Sequence, residues 1–155
     1  MGAYGVGPYG AGVYGGTQIK FPDAMPDIKY WLKHHPYLAT LSAGRVFFNI
    51  PPKVKTAPFI RIYRSGGGPQ IDSEVPMSDL RLGIDVWGMS GRDYDVVRQT
   101  VLAIESAAHD LDPGTVLGPT GTVGQNISVT TALDTPDPDT GWPRIAMDVI
   151  FTVRV

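Results

Sequence analysis

No cysteine occurs among the 155 residues, which excludes disulfides, thiolate metal sites and a cysteine nucleophile together. Long apolar runs are missing too. Nothing approaches the roughly 18 consecutive apolar residues that a membrane helix needs, so no membrane partner is expected. Neither charge sign dominates: 13 Lys and Arg face 15 Asp and Glu, and a net charge of −2 is too balanced for bulk nucleic-acid binding. The opening residues lack the basic and apolar regions of a signal peptide, so secretion is not expected. The Asn126-Ile127-Ser128 sequon then reads as accidental. What remains is one domain's length with 43% hydrophobic residues, enough to bury a substantial core.

Residues 1–20 read as an arm set apart from a single domain at 21–155. Gly2-Ala3-Tyr4-Gly5, Gly7-Pro8-Tyr9-Gly10 and Gly12-Val13-Tyr14-Gly15 recur at a period of five. That period matches neither strand nor helix, and glycine at this density makes ordering entropically costly. A flexible tail is the plain reading. The sharper one is an arm whose Tyr4, Tyr9 and Tyr14 dock on a neighbouring subunit, since tyrosine joins apolar area to a hydrogen-bonding tip.

The most informative stretch is 80–111. Leu80, Leu82, Ile84 and Val86 alternate with Arg81, Gly83, Asp85 and Trp87, the period of a half-buried strand. Gly88 and Gly91 break the run. Tyr94, Val97, Val101, Ile104, Ala108 and Leu111 then recur at steps of three and four, which predicts a helix with one apolar stripe. An earlier helix is bounded by Asp23 as a cap and Pro36 as a stop, with Ile28, Trp31, Leu32 and His35 on one face. Strands are predicted at 45–49, 59–64, 127–133 and 145–155. The order α-β-β-β-α-β-β implies an α+β domain: about five largely antiparallel strands with two helices on one face.

No constellation for catalysis, cofactor or metal binding assembles. Gly88-Met89-Ser90-Gly91 resembles a nucleophile elbow, but Arg92 stands where the second glycine belongs. His34, His35 and His109 are the only candidate bases, and His109 sits at the far end of the helix after Ser90. Gly66-Gly67-Gly68 is followed by Pro69 and Gln70 rather than the lysine and hydroxyl of a phosphate loop. The triplet reads as the mobile tip of a long loop, 65–78. Asp134, Asp137 and Asp139 are interrupted by prolines and lack calcium-loop spacing. Adjacent His34 and His35 point to different helix faces and cannot chelate one ion alone. Lys53, Lys55, Arg61 and Arg64 form the one basic concentration, either a solvated sheet face or a surface turned to a subunit or DNA. Tyr63 and Trp87 fall on the outer strand face, where exposed aromatics suit subunit contacts.

With Asp27-Ile28-Lys29-Tyr30-Trp31-Leu32-Lys33-His34-His35-Pro36, then Gly44-Arg45-Val46, Ala57-Pro58-Phe59-Ile60-Arg61-Ile62-Tyr63-Arg64-Ser65-Gly66-Gly67 and Leu82-Gly83-Ile84-Asp85-Val86-Trp87-Gly88, the chain resembles the tail terminator (tail completion) proteins of long-tailed bacteriophages. The resemblance implies a structural virion protein without an active site. It implies a homo-oligomer, a hexameric ring that caps the tail tube and joins a head-completion or stopper protein. DNA would pass through the lumen without sequence-specific binding. The place would be the tail–neck junction of the virion, after assembly in the host cytoplasm. Within that frame, Gly66, Gly67 and Gly68 are expected to lend mobility to a tube-contact loop, with Ile71, Val75 and Met77 buried at the joint. The alternatives are another neck or tail part, such as a head-closure or tail-tube protein, and a small hydrolase or ligand-binding domain.

Overall fold

The structure, a computed structural model, describes residues 23–49, 56–70 and 76–154. Helix α1 is Met25–His34 and a short α2 is Pro36–Ala39. Six strands, β1 (Val46–Phe47), β2 (Phe59–Pro69), β3 (Met77–Trp87), β4 (Thr115–Val116), β5 (Val123–Asp134) and β6 (Arg144–Arg154), form one sheet in the order β1-β2-β3-β6-β5-β4. Helix α3 (Tyr94–His109) follows β3 through a single 3-10 turn. The α+β class holds, but among the described residues the sheet has six strands rather than about five, and α2 and β4 add to the expected order. Both are short: a two-residue strand is too brief to show a period.

Pro36 both stops and starts. His35, held extended ahead of the proline, ends α1, and Pro36 opens α2, where its missing N–H has no helical partner to lose. Asp23 contributes at the other end of α1, accepting from the Met25 amide at 3.0 Å.

The helices cover one face of the sheet. Ile28, Trp31 and Leu32 of α1, with Val97, Val101, Ile104 and Ala108 of α3, pack on Ile60 and Ile62, on Leu82, Ile84 and Val86, and on Met147, Val149 and Phe151. Strand β3 departs from the half-buried pattern. From Leu82 to Trp87 every residue is buried, so its second face is covered as well.

The glycine triplet is also corrected. Gly66, Gly67 and Gly68 pair with Arg81, Leu80 and Asp79 across a β2–β3 ladder that runs on to Pro69 and Ser78. A Cβ on Gly67 would lie 1.9 Å from the Asp79 carbonyl oxygen, and its φ is +86°. Glycine is there because two backbones approach closely, not to loosen a loop.

Helix α1 is tied to the segment before β5 by Asp27. Its carboxylate is fully buried and accepts from the Thr120 amide (3.2 Å), the Thr120 hydroxyl (2.5 Å) and the Thr122 amide (2.9 Å). Burial opposes this charge, but the bonds from Thr120 and Thr122 outweigh it and hold the carboxyl below the ordinary carboxylate range. Helix α3 is pinned at both ends by the same pairing: Tyr94 donates to Asp134 at 2.7 Å and Tyr37 to Asp110 at 2.6 Å.

Candidate interaction surfaces

The outer face of the sheet carries an aromatic and ionic row. Strand register places Phe59, Trp87 and Arg144 side by side, then Arg61 beside Asp85, then Tyr63 beside Gly83. The Phe59 and Trp87 rings stack at 5.9 Å, and the Arg144 guanidinium lies 5.0 Å from the Trp87 ring. Arg61 Nη1 donates to Asp85 Oδ2 at 3.3 Å, and its guanidinium sits 4.5 Å from the Tyr63 ring.

Asp85 is 3% exposed, and its Oδ1 has no hydrogen-bond partner among the described residues; the same holds for Arg61 Nε and Trp87 Nε1. Burial pushes the Asp85 carboxyl up from its ordinary range, against the pull of Arg61 and Arg144. Trp87 is 6% exposed, so it does not offer the free aromatic area expected of it, whereas Tyr63 is 37% exposed. Packing between Phe59 and Arg144 takes the area a partner would have used.

Farther along the same face, Arg81 grips Asp148 through Nε (3.0 Å) and Nη2 (2.5 Å), with the Thr130 hydroxyl 3.2 Å from the same carboxylate. The Arg81 bond holds the Asp148 carboxyl below the usual range. This pair is solvent-facing and adds little stability.

On the helix side an open groove of about 820 Å³ runs along α3, bordered by Tyr37, Leu102, Glu105 and Asp110. Leu102 lies off the apolar stripe and is half exposed. Periodicity does not reveal it, because a period marks the buried face of a helix and is silent about single apolar residues on the other.

The Asp93 carboxylate accepts from the amides of Met89 (2.8 Å) and Ser90 (3.0 Å), which makes Ser90 part of a helix-entry turn. His109 is at the opposite end of the 16-residue α3, about 24 Å away at 1.5 Å per residue. His34 contacts the Tyr30 carbonyl at 2.8 Å, while His35 accepts from the Tyr37 amide at 3.2 Å. Asp137 closes its own turn on Thr140. Among the described residues, no three His, Cys, Asp or Glu gather as a metal site, and no helix is long and apolar enough to cross a membrane. Met77 opens β3 and is half-buried. Tyr4, Tyr9, Tyr14, Ile71 and Val75, and the basic pair Lys53 and Lys55, lie outside the described residues.

The family model described as tail completion protein gp17 matches residues 27–154, so the family resemblance read from the sequence is borne out. No curated protein matches by sequence. Among solved structures, a chain of the virion of a native gene transfer agent particle is similar, with a TM-score of 0.63 and 15% identity over 83% of this chain and 92% of that one. At that identity the likeness is one of fold.

Proposed function

We propose that this chain, which belongs to the tail completion protein gp17 family, ends the growth of a phage tail tube by capping it as a ring and then offers the surface on which the head is joined. Family membership makes it a structural virion protein of a phage-like tail. The capping role, the ring of six copies, the position at the tail–neck junction and assembly in the host cytoplasm are the further steps of the reading. The observation that carries it is the extent of the match: among the described residues, 27–154 take in the whole sheet, α2, α3 and all of α1 but its first two residues.

A cap must bind the last tube ring without presenting an equivalent surface to another. The β2–β3 hairpin suits that task. Its ladder runs to Pro69 and Ser78, and the Gln70 amide donates to the Met77 carbonyl at 2.8 Å, so the strand ends that flank residues 71–75 are firmly held. Ile71, Val75 and Met77 supply apolar area for the tube protein. On the opposite side the ring meets a head-completion or stopper protein, and DNA passes through the lumen without sequence-specific contacts.

Particles assembled without the protein test the role. They should carry over-long tails without heads, and purified protein added to them should restore head joining. Tails of normal length joined to heads in its absence would overturn the reading. Replacing residues 71–75 with a short Gly-Ser turn should leave the ring intact but reproduce the over-long or headless tails. Normal tails from that variant would move the tube contact to another surface.

A further inference from the structure

The sheet ends on two complementary edges. Strands β1 and β4 are two residues each, and they cover only Ile60 and Arg61 on β2 and Val123 and Gly124 on β5. Beyond these, residues 62–69 of β2 and 125–134 of β5 have a strand partner on one side only among the described residues. A bare strand edge presents free N–H and C=O groups that template another strand.

Direction decides which strand fits. Neighbours β2, β3, β6 and β5 are successively antiparallel, so the four long strands alternate and β2 runs opposite to β5. Rotation about a ring axis leaves each strand's direction along that axis unchanged. Setting β2 of one copy beside β5 of the next therefore makes an antiparallel pair and continues the alternation; an odd number of long strands would have forced a parallel join. The charges agree. Arg64 stands on the bare part of β2, while Asp134, Asp137 and Asp139 cluster where β5 turns into β6. Apolar area is available on both sides, from Tyr63 and from Leu133, which is 59% exposed.

Within a single copy the edge is guarded. Arg64 folds back on its own strand, donating to the carbonyls of Gly66 (3.2 Å) and Gly67 (3.1 Å). Both strands also carry bulges, at Arg64/Gly66 and Val129/Thr131, a device that discourages casual edge pairing.

We infer that copies of this chain join head to tail through these edges, β2 of one on β5 of the next, with Arg64 turning from its own carbonyls toward the neighbour's acids. The inference rests on the ring reading above and names the surface that closes the ring.

The cysteine-free chain permits a direct test. Tyr63→Cys or Ser65→Cys is combined in the full chain with Ser128→Cys, Thr131→Cys or Leu133→Cys, and each double variant is oxidised in the presence of tail tubes. At least one combination should yield a denaturant-resistant ladder of linked copies that ends at the closed ring. Tyr63→Cys combined with Leu102→Cys on α3 should yield none. Rings seen in micrographs of the same samples without any β2–β5 link would overturn the edge pairing and leave the ring standing. Absence of rings from the parent protein with tubes present would remove the ring reading, and the pairing with it.

Discussion

The ring of Tyr63 occupies the space that a side chain at Gly83 would need: a Cβ there would fall 2.2 Å from the ring's Cζ. The two residues pair across β2 and β3, so the bare glycine lets the aromatic ring lie over the strand backbone. Gly83→Ala should therefore push the far end of this exposed ring aside and cost about 0.5–1.5 kcal/mol, the range for an off-rotamer side chain. In a Tyr63→Ala background the same change should cost little, because the clash has gone. Urea denaturation of the four proteins checks this, and equal costs in both backgrounds would separate the two residues energetically.

The glycine triplet offers a second prediction, since a ladder and a loose tip answer differently to alanine. Gly67→Ala meets both a positive φ and the Asp79 carbonyl, and should destabilise by about 1–3 kcal/mol. Gly68→Ala finds nothing within 4 Å and should stay within about 0.5 kcal/mol of the parent. Thermal denaturation of the two variants decides; tolerance of alanine at both positions would return the segment to a loop.

Two buried carboxyls should push stability in opposite directions with pH. Asp27 is held below its unfolded value of about 3.9, so its contribution is full above that pH and is lost as pH falls through the native value. Asp85 is raised, so its contribution is full below about 3.9 and is lost as pH rises through the native value. Asp27→Asn should cost about 1.5–3 kcal/mol at neutral pH, the range for a hydrogen bond to a charged group, with a deficit that shrinks in acid. The deficit of Asp85→Asn should instead shrink as pH rises from acid toward neutral. Urea midpoints against pH test both, and flat differences would sink the assignment.

The Gly-Tyr arm carries a prediction drawn from sequence alone. A period of five offers no buried face, so deleting residues 2–16 should leave the melting temperature nearly unchanged while easing dissociation of the ring. Loss of soluble expression on deletion would make the arm part of the core and move the domain boundary.

By itself the sequence determined the inner core. Alternation in 80–86 and 145–153 and the stripe from Val97 to Ala108 are set by which face meets apolar neighbours, and a period is visible wherever that face is continuous. The family, too, was legible from runs such as Leu82-Gly83-Ile84-Asp85-Val86-Trp87-Gly88. Only the tertiary structure decided the second face of β3. Asp85 and Trp87 look like solvent-side residues in a period of two, and they are buried because Phe59, Arg61 and Arg144, as many as 59 positions away in the chain, pack over them. Asp27 carried no local sign of its role, since its partners Thr120 and Thr122 are 93 and 95 residues distant. The two sheet edges were equally out of reach. Which strands end a sheet, and in which directions they run, follows from pairing order, and pairing order belongs to the folded chain.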